Sequence, residues 1–266
     1  MTLTEKELEQ ACVELFDART HFQQLNPEHQ TFRPTNMVDA YRVQSKVVKK
    51  ILTQHQTKTL GYKIGGTNPA AREMLGTNQP FVGHLIEHYC YPSGKHISSN
   101  DYHVIILEPE IAIRLSEDLS EIGQKYTPEL VAKSVAAVAP AIEIVTSSFP
   151  VWNEAGIYNL VADNAANGAW IHGEFIDYSD ALDLNNQSVS LVINGKTRLK
   201  GEGKNVDGGP MIVLAWLANF LILNGKALKA GDLITTGSTT QPYPGTVNDE
   251  VIADFGSLGK CQVSIS

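Results

Sequence analysis

The run Val104-Ile105-Ile106-Leu107-Glu108-Pro109-Glu110-Ile111-Ala112-Ile113-Arg114-Leu115 limits what this chain can fold into more than any other stretch. Its β-branched and aliphatic residues read as a buried strand, in which residues two apart share a face. Glu108 and Glu110 therefore project side by side from an apolar ribbon, and Pro109 faces the other way. Two carboxylates this close in a poorly solvated place repel one another. Either a cation sits between them or one holds a proton.

In Val138-Ala139-Pro140-Ala141-Ile142-Glu143-Ile144-Val145 a single carboxylate again interrupts an apolar strand-like run. A glutamate is rarely fully buried unless paired, so Glu143 is the natural third member of the set. Three carboxylates without a Cys or His cluster form a hard oxygen site, suited to Mg²⁺, Mn²⁺ or Ca²⁺ rather than Zn²⁺. The competing reading is an ion-pair network in which Arg114 or other bases neutralise the carboxylates on a sheet surface.

A chain of 266 residues is long enough for one large domain, or for a smaller one with an appendage. Its net charge of −8, with no basic run longer than Lys49-Lys50, argues against a nucleic-acid partner. Cys12, Cys90 and Cys261 are isolated and form no CxxC pair, so a reducing, cytoplasmic location is expected. The opening residues lack the apolar core of a signal peptide. No membrane span is expected either, since Met211 to Leu223 is short and interrupted by Asn219.

Thr4-Glu5-Lys6-Glu7 has the form of a capping box, predicting a first helix to about Phe22. After a polar stretch with Pro27 and Pro34, Asn36 can cap a second helix through Ile51. The apolar faces of these helices must pack on the main body or on another subunit. Gly61 to Thr67 reads as a short strand entering a glycine-rich bend, and Asn68-Pro69 as the start of a short helix ending at Gly76. A lone strand lysine such as Lys63 is usually a solvated side chain.

Phe81 to Asn100 reads as loops joining short strands, with His84 and His88 structural or exposed. Thr127-Pro128-Glu129 should open a helix that continues through Val135. The small polar residues of Val161 to Gly168 could orient a ligand or form a turn. Asn194-Gly195 signals a hairpin, Gly209-Pro210 the start of a helix that stops at Asn224-Gly225, Tyr243-Pro244-Gly245 a turn, and the rest strands, including Leu233 to Ser238 and a pair across Gly256 to Gly259. Strands and turns with helices at intervals argue for an α+β body.

Six segments occur in an order that resembles the 2-oxopent-4-enoate hydratases and their relatives, the 4-oxalocrotonate decarboxylases, within the fumarylacetoacetate hydrolase superfamily. They are Gly61-Tyr-Lys63-Ile-Gly65, Leu75-Gly-Thr-Asn-Gln79-Pro80, Glu108-Pro-Glu110-Ile-Ala, Ala141-Ile-Glu143-Ile-Val, Asp163-Asn164-Ala and Gly231-Asp-Leu-Ile-Thr-Thr-Gly237-Ser238. The resemblance implies a mixed β-roll over residues 60–266 behind an N-terminal helical segment, residues 1–59. It implies a Mg²⁺ or Mn²⁺ held by Glu108, Glu110 and Glu143, and a small 2-oxo acid substrate. Lys63 would be the catalytic lysine beside that substrate. Ser238 and the backbone N–H groups around Gly237 would bind its carboxylate, and Leu75 would line its apolar tail. A homo-oligomer, or a complex with a related hydratase or decarboxylase, is implied as well.

The sequence departs from that pattern at Asn78 and Phe81, in a loop where many hydratases carry acidic residues. It departs again at Ala166, where a serine is frequent. The expected activity is hydration of 2-hydroxypenta-2,4-dienoate-type substrates in aromatic-compound catabolism. A decarboxylase is the alternative and would need a further cation for a second carboxylate, with Arg72 and Arg114 as candidates. A noncatalytic partner subunit is the third.

Overall fold

The computed structural model describes residues 2–26 and 31–266; Pro27, placed above in the polar stretch between the first helices, lies outside them. In chain order the elements are α1 (Glu5–Thr20), α2 (Met37–His55), β1 (Thr59–Gly65), α3 (Pro69–Leu75), β2 (Phe81–Ile86), β3 (Cys90–Pro92), β4 (Lys95–Ile97) and β5 (Ile106–Leu115). There follow α4 (Pro128–Ala132), β6 (Val135–Val145), α5 (Ile157–Ala162), β7 (Asn167–His172), β8 (Ile176–Asp177), β9 (Ser188–Ile193) and β10 (Lys196–Glu202). The last are α6 (Pro210–Leu223), β11 (Leu233–Ser238), β12 (Tyr243–Pro244), β13 (Glu250–Asp254) and β14 (Lys260–Ile265).

The helix starts follow the capping chemistry. The Thr4 side chain accepts from the Glu7 N–H while the Glu7 carboxylate accepts from the Thr4 backbone, satisfying two donors that a helix start leaves orphaned. At α2 and α3 the cap is one-sided: the Asn36 and Asn68 side chains accept from the Asp39 and Ala71 N–H groups, and Gly76 ends α3 in the left-handed region at φ 65°. The apolar stripe of α1 (Leu8, Cys12, Leu15) meets that of α2 (Val43, Val47, Ile51). Together they close on Leu160 and Val161 of α5 and on Phe81 and Ile86 of β2. The two leading helices thus bury their apolar faces against the body of their own chain.

Two mixed sheets form that body. One runs β2-β1-β11-β5-β6-β7-β3, with β12 paired to β5 and β8 to β6; the other runs β10-β9-β13-β14-β4. The longest pairing is antiparallel, between β5 and β6, and sets Glu108 directly opposite Glu143. A parallel pairing between β1 and β11 sets Lys63 opposite Thr235. One continuous apolar cluster, including Ile111, Ile142, Val251 and Leu214, joins both sheets to α6.

Three expectations need correction. The helix opened by Thr127 stops at Ala132, because Val135 already belongs to β6, where its side chain is buried in the core. Tyr243-Pro244 forms a two-residue strand on β5 rather than only a turn. The stretch Gly203–Leu223 is 21 residues with a hydropathy of 1.7, long and apolar enough by length and composition to cross a membrane, which a reading confined to Met211 to Leu223 misses. Half of its most apolar window is buried inside the protein, where Val213, Leu214, Leu217 and Leu221 belong to the core. A helix apolar all round is what a large core demands.

Close approach of β1 to β11 depends on Gly61. At φ 148° a Cβ there would lie 1.9 Å from the Leu233 carbonyl oxygen. Gly61→Ala is expected to cost about 3 kcal/mol through strain and overpacking. Calorimetry should read this as a fall of roughly 6–12 °C in Tm.

Candidate metal centre and substrate cleft

Strand alternation and register bring the acidic side chains together. Glu108 and Glu110 lie two apart on β5, and Glu143 faces Glu108 across the β5–β6 pair, so all three project from one face of the sheet. Their carboxylates can each offer one oxygen such that these atoms lie within 4.8 Å of one another. Glu110 and Glu143 are fully buried, while Glu108 is partly open.

Each carboxylate is aimed by its neighbours. Glu110 Oε2 accepts from Thr235 Oγ1 and, at 2.9 Å, from the Gly237 N–H. Glu143 Oε1 accepts from Asn167 Nδ2 at 2.8 Å and pairs with Lys63 Nζ at 3.2 Å. The other oxygens, Glu110 Oε1 and Glu143 Oε2, are buried with no hydrogen-bond partner. Orphaned carboxylate oxygens are costly in a protein interior, and a hard cation bound by both would satisfy them.

Lys63 is not the solvated lysine that a lone strand position suggests: it is 3% exposed. Its ammonium donates to the Ala165 carbonyl at 3.1 Å and sits 5.9 Å from the centre of the Phe81 ring. Burial works against its charge, but Glu143, Glu108 and Glu110 outweigh burial and hold it above the ordinary lysine value. Burial, then Glu143, pushes Glu108 up to about 7 against the pull of Lys63; Glu110 is raised for the same reasons and by Glu108 as well. Three carboxylates against one ammonium leave an excess of two negative charges, the charge of one divalent cation.

These groups open on a cleft of about 210 Å³ whose lining includes Lys63 and Glu108 together with the apolar side chains of Met74, Leu75, Trp152 and Leu160. Ser238 also lines it, and its hydroxyl donates to the Thr240 carbonyl at 3.0 Å. The Gly237 N–H, expected to face a substrate carboxylate, is donated to Glu110 instead. Phe81 and Ala166 border the cleft, and Asn78 is exposed.

Neither arginine of the competing readings reaches the site. Arg72 is held by both oxygens of Asp207, at 2.6 and 3.1 Å, and by the Gly66 carbonyl. Arg114 is exposed, with its guanidinium 5.1 Å from the centre of the Phe175 ring. Sequence reasoning missed Thr235 and Asn167, which aim the carboxylates. Asn167 belongs to the small polar group of Val161 to Gly168 that reads equally as a turn, and Thr235 looks like any strand threonine.

The fumarylacetoacetate (FAA) hydrolase C-terminal family matches residues 74–266 of this chain. The chain is 30% identical over 259 residues to 2-keto-4-pentenoate hydratase of Paraburkholderia xenovorans (strain LB400), covering 96% of this chain and 95% of that protein. It is 30% identical over 254 residues to 2-hydroxyhexa-2,4-dienoate hydratase of Comamonas testosteroni, covering 95% of each. Among solved structures, 4-oxalocrotonate decarboxylase from Pseudomonas putida G7, complexed with magnesium and adipate, superposes with a TM-score of 0.92 at 24% identity, over 100% of this chain and 99% of that one. That likeness establishes a shared fold, an α+β body with leading helices. With most of its length matched and its sheet carrying the site on one face, this chain belongs to the fumarylacetoacetate hydrolase C-terminal family.

Proposed function

We propose that this protein is a metal-dependent hydro-lyase that hydrates 2-hydroxypenta-2,4-dienoate-type substrates to 4-hydroxy-2-oxo acids in aromatic-compound catabolism. Relatives that match nearly its full length are named for activities of this kind. The observation that supports the reading most is the pair of partnerless buried oxygens on Glu110 and Glu143, beside Glu108 and Lys63. Glu108, Glu110 and Glu143 would hold Mg²⁺ or Mn²⁺, since all three offer hard oxygen donors. When bound, the cation would serve as a Lewis acid toward the carboxylate and 2-oxo oxygens of a 2-oxo acid.

The chain's own residues do the rest. The Lys63 ammonium would neutralise the substrate carboxylate; the three glutamates hold it charged, which favours electrostatic anchoring over proton donation. Hydration requires the dienol hydroxyl to lose a proton and the terminal carbon to gain one; water then adds across the conjugated double bond. Leu75, Met74 and Trp152 receive the apolar end of the substrate and keep bulk water from it. Lys63 is the one cationic side chain among the described residues lining the cleft, and this favours a substrate with one carboxylate over the dicarboxylate a 4-oxalocrotonate-type decarboxylase would take. Exposed apolar side chains on α6, Ile212 and Leu223, favour a homo-oligomer, and the three free cysteines favour a reducing compartment such as the cytoplasm.

The ultraviolet absorbance of 2-hydroxypenta-2,4-dienoate provides the test. Its signal should decay with added Mg²⁺ or Mn²⁺, without CO₂ release, and persist with chelator. Turnover of 4-oxalocrotonate alone would assign a decarboxylase, and a folded chain that binds a 2-oxo acid but turns over neither would assign a noncatalytic partner. Glu108→Gln should lower kcat/KM about a hundredfold or more while leaving Tm unchanged or higher in chelator, because it removes like-charge repulsion.

A second prediction concerns pH. Glu108 is raised to about 7 from an ordinary 4.5, so between those values the folded state binds more protons than the unfolded state. Stability of the chelator-treated protein should therefore fall as pH rises from about 4.5 to about 7. Saturating Mg²⁺, which binds the ionised form, should reverse that trend in thermal unfolding measured across the same range.

A further inference from the structure

The turn between α5 and β7 has an improbable backbone. Asn164, Ala165 and Ala166 all lie in the left-handed region, at φ 48°, 54° and 57°, and none is glycine. Residues with a Cβ adopt this conformation singly and at a cost; three in succession persist only where surrounding contacts over-determine them. The turn also faces the metal centre. Its Ala165 carbonyl accepts from Lys63 Nζ, and Asn167, directly after it, donates to Glu143 Oε1.

The contacts that hold the turn come both from α1, outside the sheet, and from β2 within it. Arg19, in the last turn of α1, has a side chain 9% exposed; its Nη1 donates to Asp163 Oδ1 at 2.7 Å and to the Asp163 carbonyl at 3.1 Å, and its Nη2 to the Asn167 carbonyl. One guanidinium fork therefore spans both ends of the left-handed segment. Asp163 Oδ2 accepts from the Ser148 N–H, and the Asn164 amide bonds both the N–H and the carbonyl of His84 on β2.

We propose that Arg19 is a positioning residue: by bridging Asp163 and Asn167 it fixes the left-handed turn, and through the turn the Lys63 ammonium and the Glu143 carboxylate. This makes the leading helix α1 a working part of the site rather than an appendage. The inference rests on the metal reading only for its second readout. A lysine at position 19 keeps a charge for Asp163 but cannot span to the Asn167 carbonyl, so the fork geometry, not the charge, is what the substitution removes.

The test compares Arg19→Lys with Arg42→Gln. Arg42 also ties α1 to α2, through Glu5 at 2.7 Å and the Leu3 carbonyl, but makes no contact with the turn. In metal-free protein, hydrogen exchange of the peptide spanning residues 163–168 should be at least about tenfold faster in Arg19→Lys and unchanged in Arg42→Gln. Titration calorimetry with Mg²⁺ should show affinity about tenfold weaker in Arg19→Lys only. Asp163→Asn, equal in size and still an acceptor, provides a second route if Arg19→Lys fails to fold, and should move both readouts the same way by less.

Exchange and Mg²⁺ affinity at wild-type levels in the folded variants, or equal changes in Arg42→Gln, would overturn the proposal. A wild-type chain that binds no dication would instead overturn the metal reading, and the exchange comparison would still decide the role of Arg19.

Discussion

The structure depends on holding three carboxylates and one ammonium on an apolar sheet face. Burying a charge is tolerable only when other charges and hydrogen bonds surround it. The chain arranges this with backbone regularity: alternation along β5 puts Glu108 and Glu110 on one side, and antiparallel register adds Glu143 opposite. Lys63 arrives from β1, two strands away, because β11 lies between β1 and β5. No loop carries any of the four, so their spacing inherits the stiffness of the sheet. The remaining excess of negative charge is what a dication held there would balance, and without one the site favours protonated glutamates.

Some of this was legible in the sequence because local chemistry decides it. The caps at Thr4, Asn36 and Asn68 and the left-handed Gly76 act within one helical turn. The Asn194-Gly195 hairpin does the same, with both residues at positive φ. The paired glutamates were legible too, since alternation needs no tertiary information. The burial of Lys63 was not, because a lysine looks the same in sequence whether its strand is central or solvated, and it is long-range pairing of β1 with β2 and β11, under the turn at Ala165, that encloses it. Residues 164–166 were invisible for a stronger reason: two are alanines, whose preference is for right-handed helix, and tertiary contacts override it.

Val135 illustrates the same limit in milder form. Helical spacing from Leu130 and Val131 includes it, yet long-range pairing of β6 claims it for the sheet. Where local propensity and a ten-residue ladder compete, the ladder wins because its backbone pairs and the apolar side chains buried along both strands outweigh one helical turn.

On the proposed reading, the cleft lining divides the work of recognition. The Lys63 ammonium would take a carboxylate head and no other cation would compete, since Arg72 is held by Asp207 and Arg114 lies over Phe175. The lining adds Met74, Leu75, Trp152 and Leu160, and its polar groups beyond Lys63 and Glu108, such as Asn68, Thr240 and Gln241, are uncharged, so a second carboxylate on a substrate would find no second cation among the described lining residues. Apolar pockets discriminate weakly among chain lengths, by about 1–3 kcal/mol per methylene, but strongly against an unpaired charge. On the same reading, the selectivity of the cleft is set less by what it grips than by what it leaves unsatisfied: a series of alkyl tails would be accepted, while a diacid of the same length would leave one charge without a cationic partner.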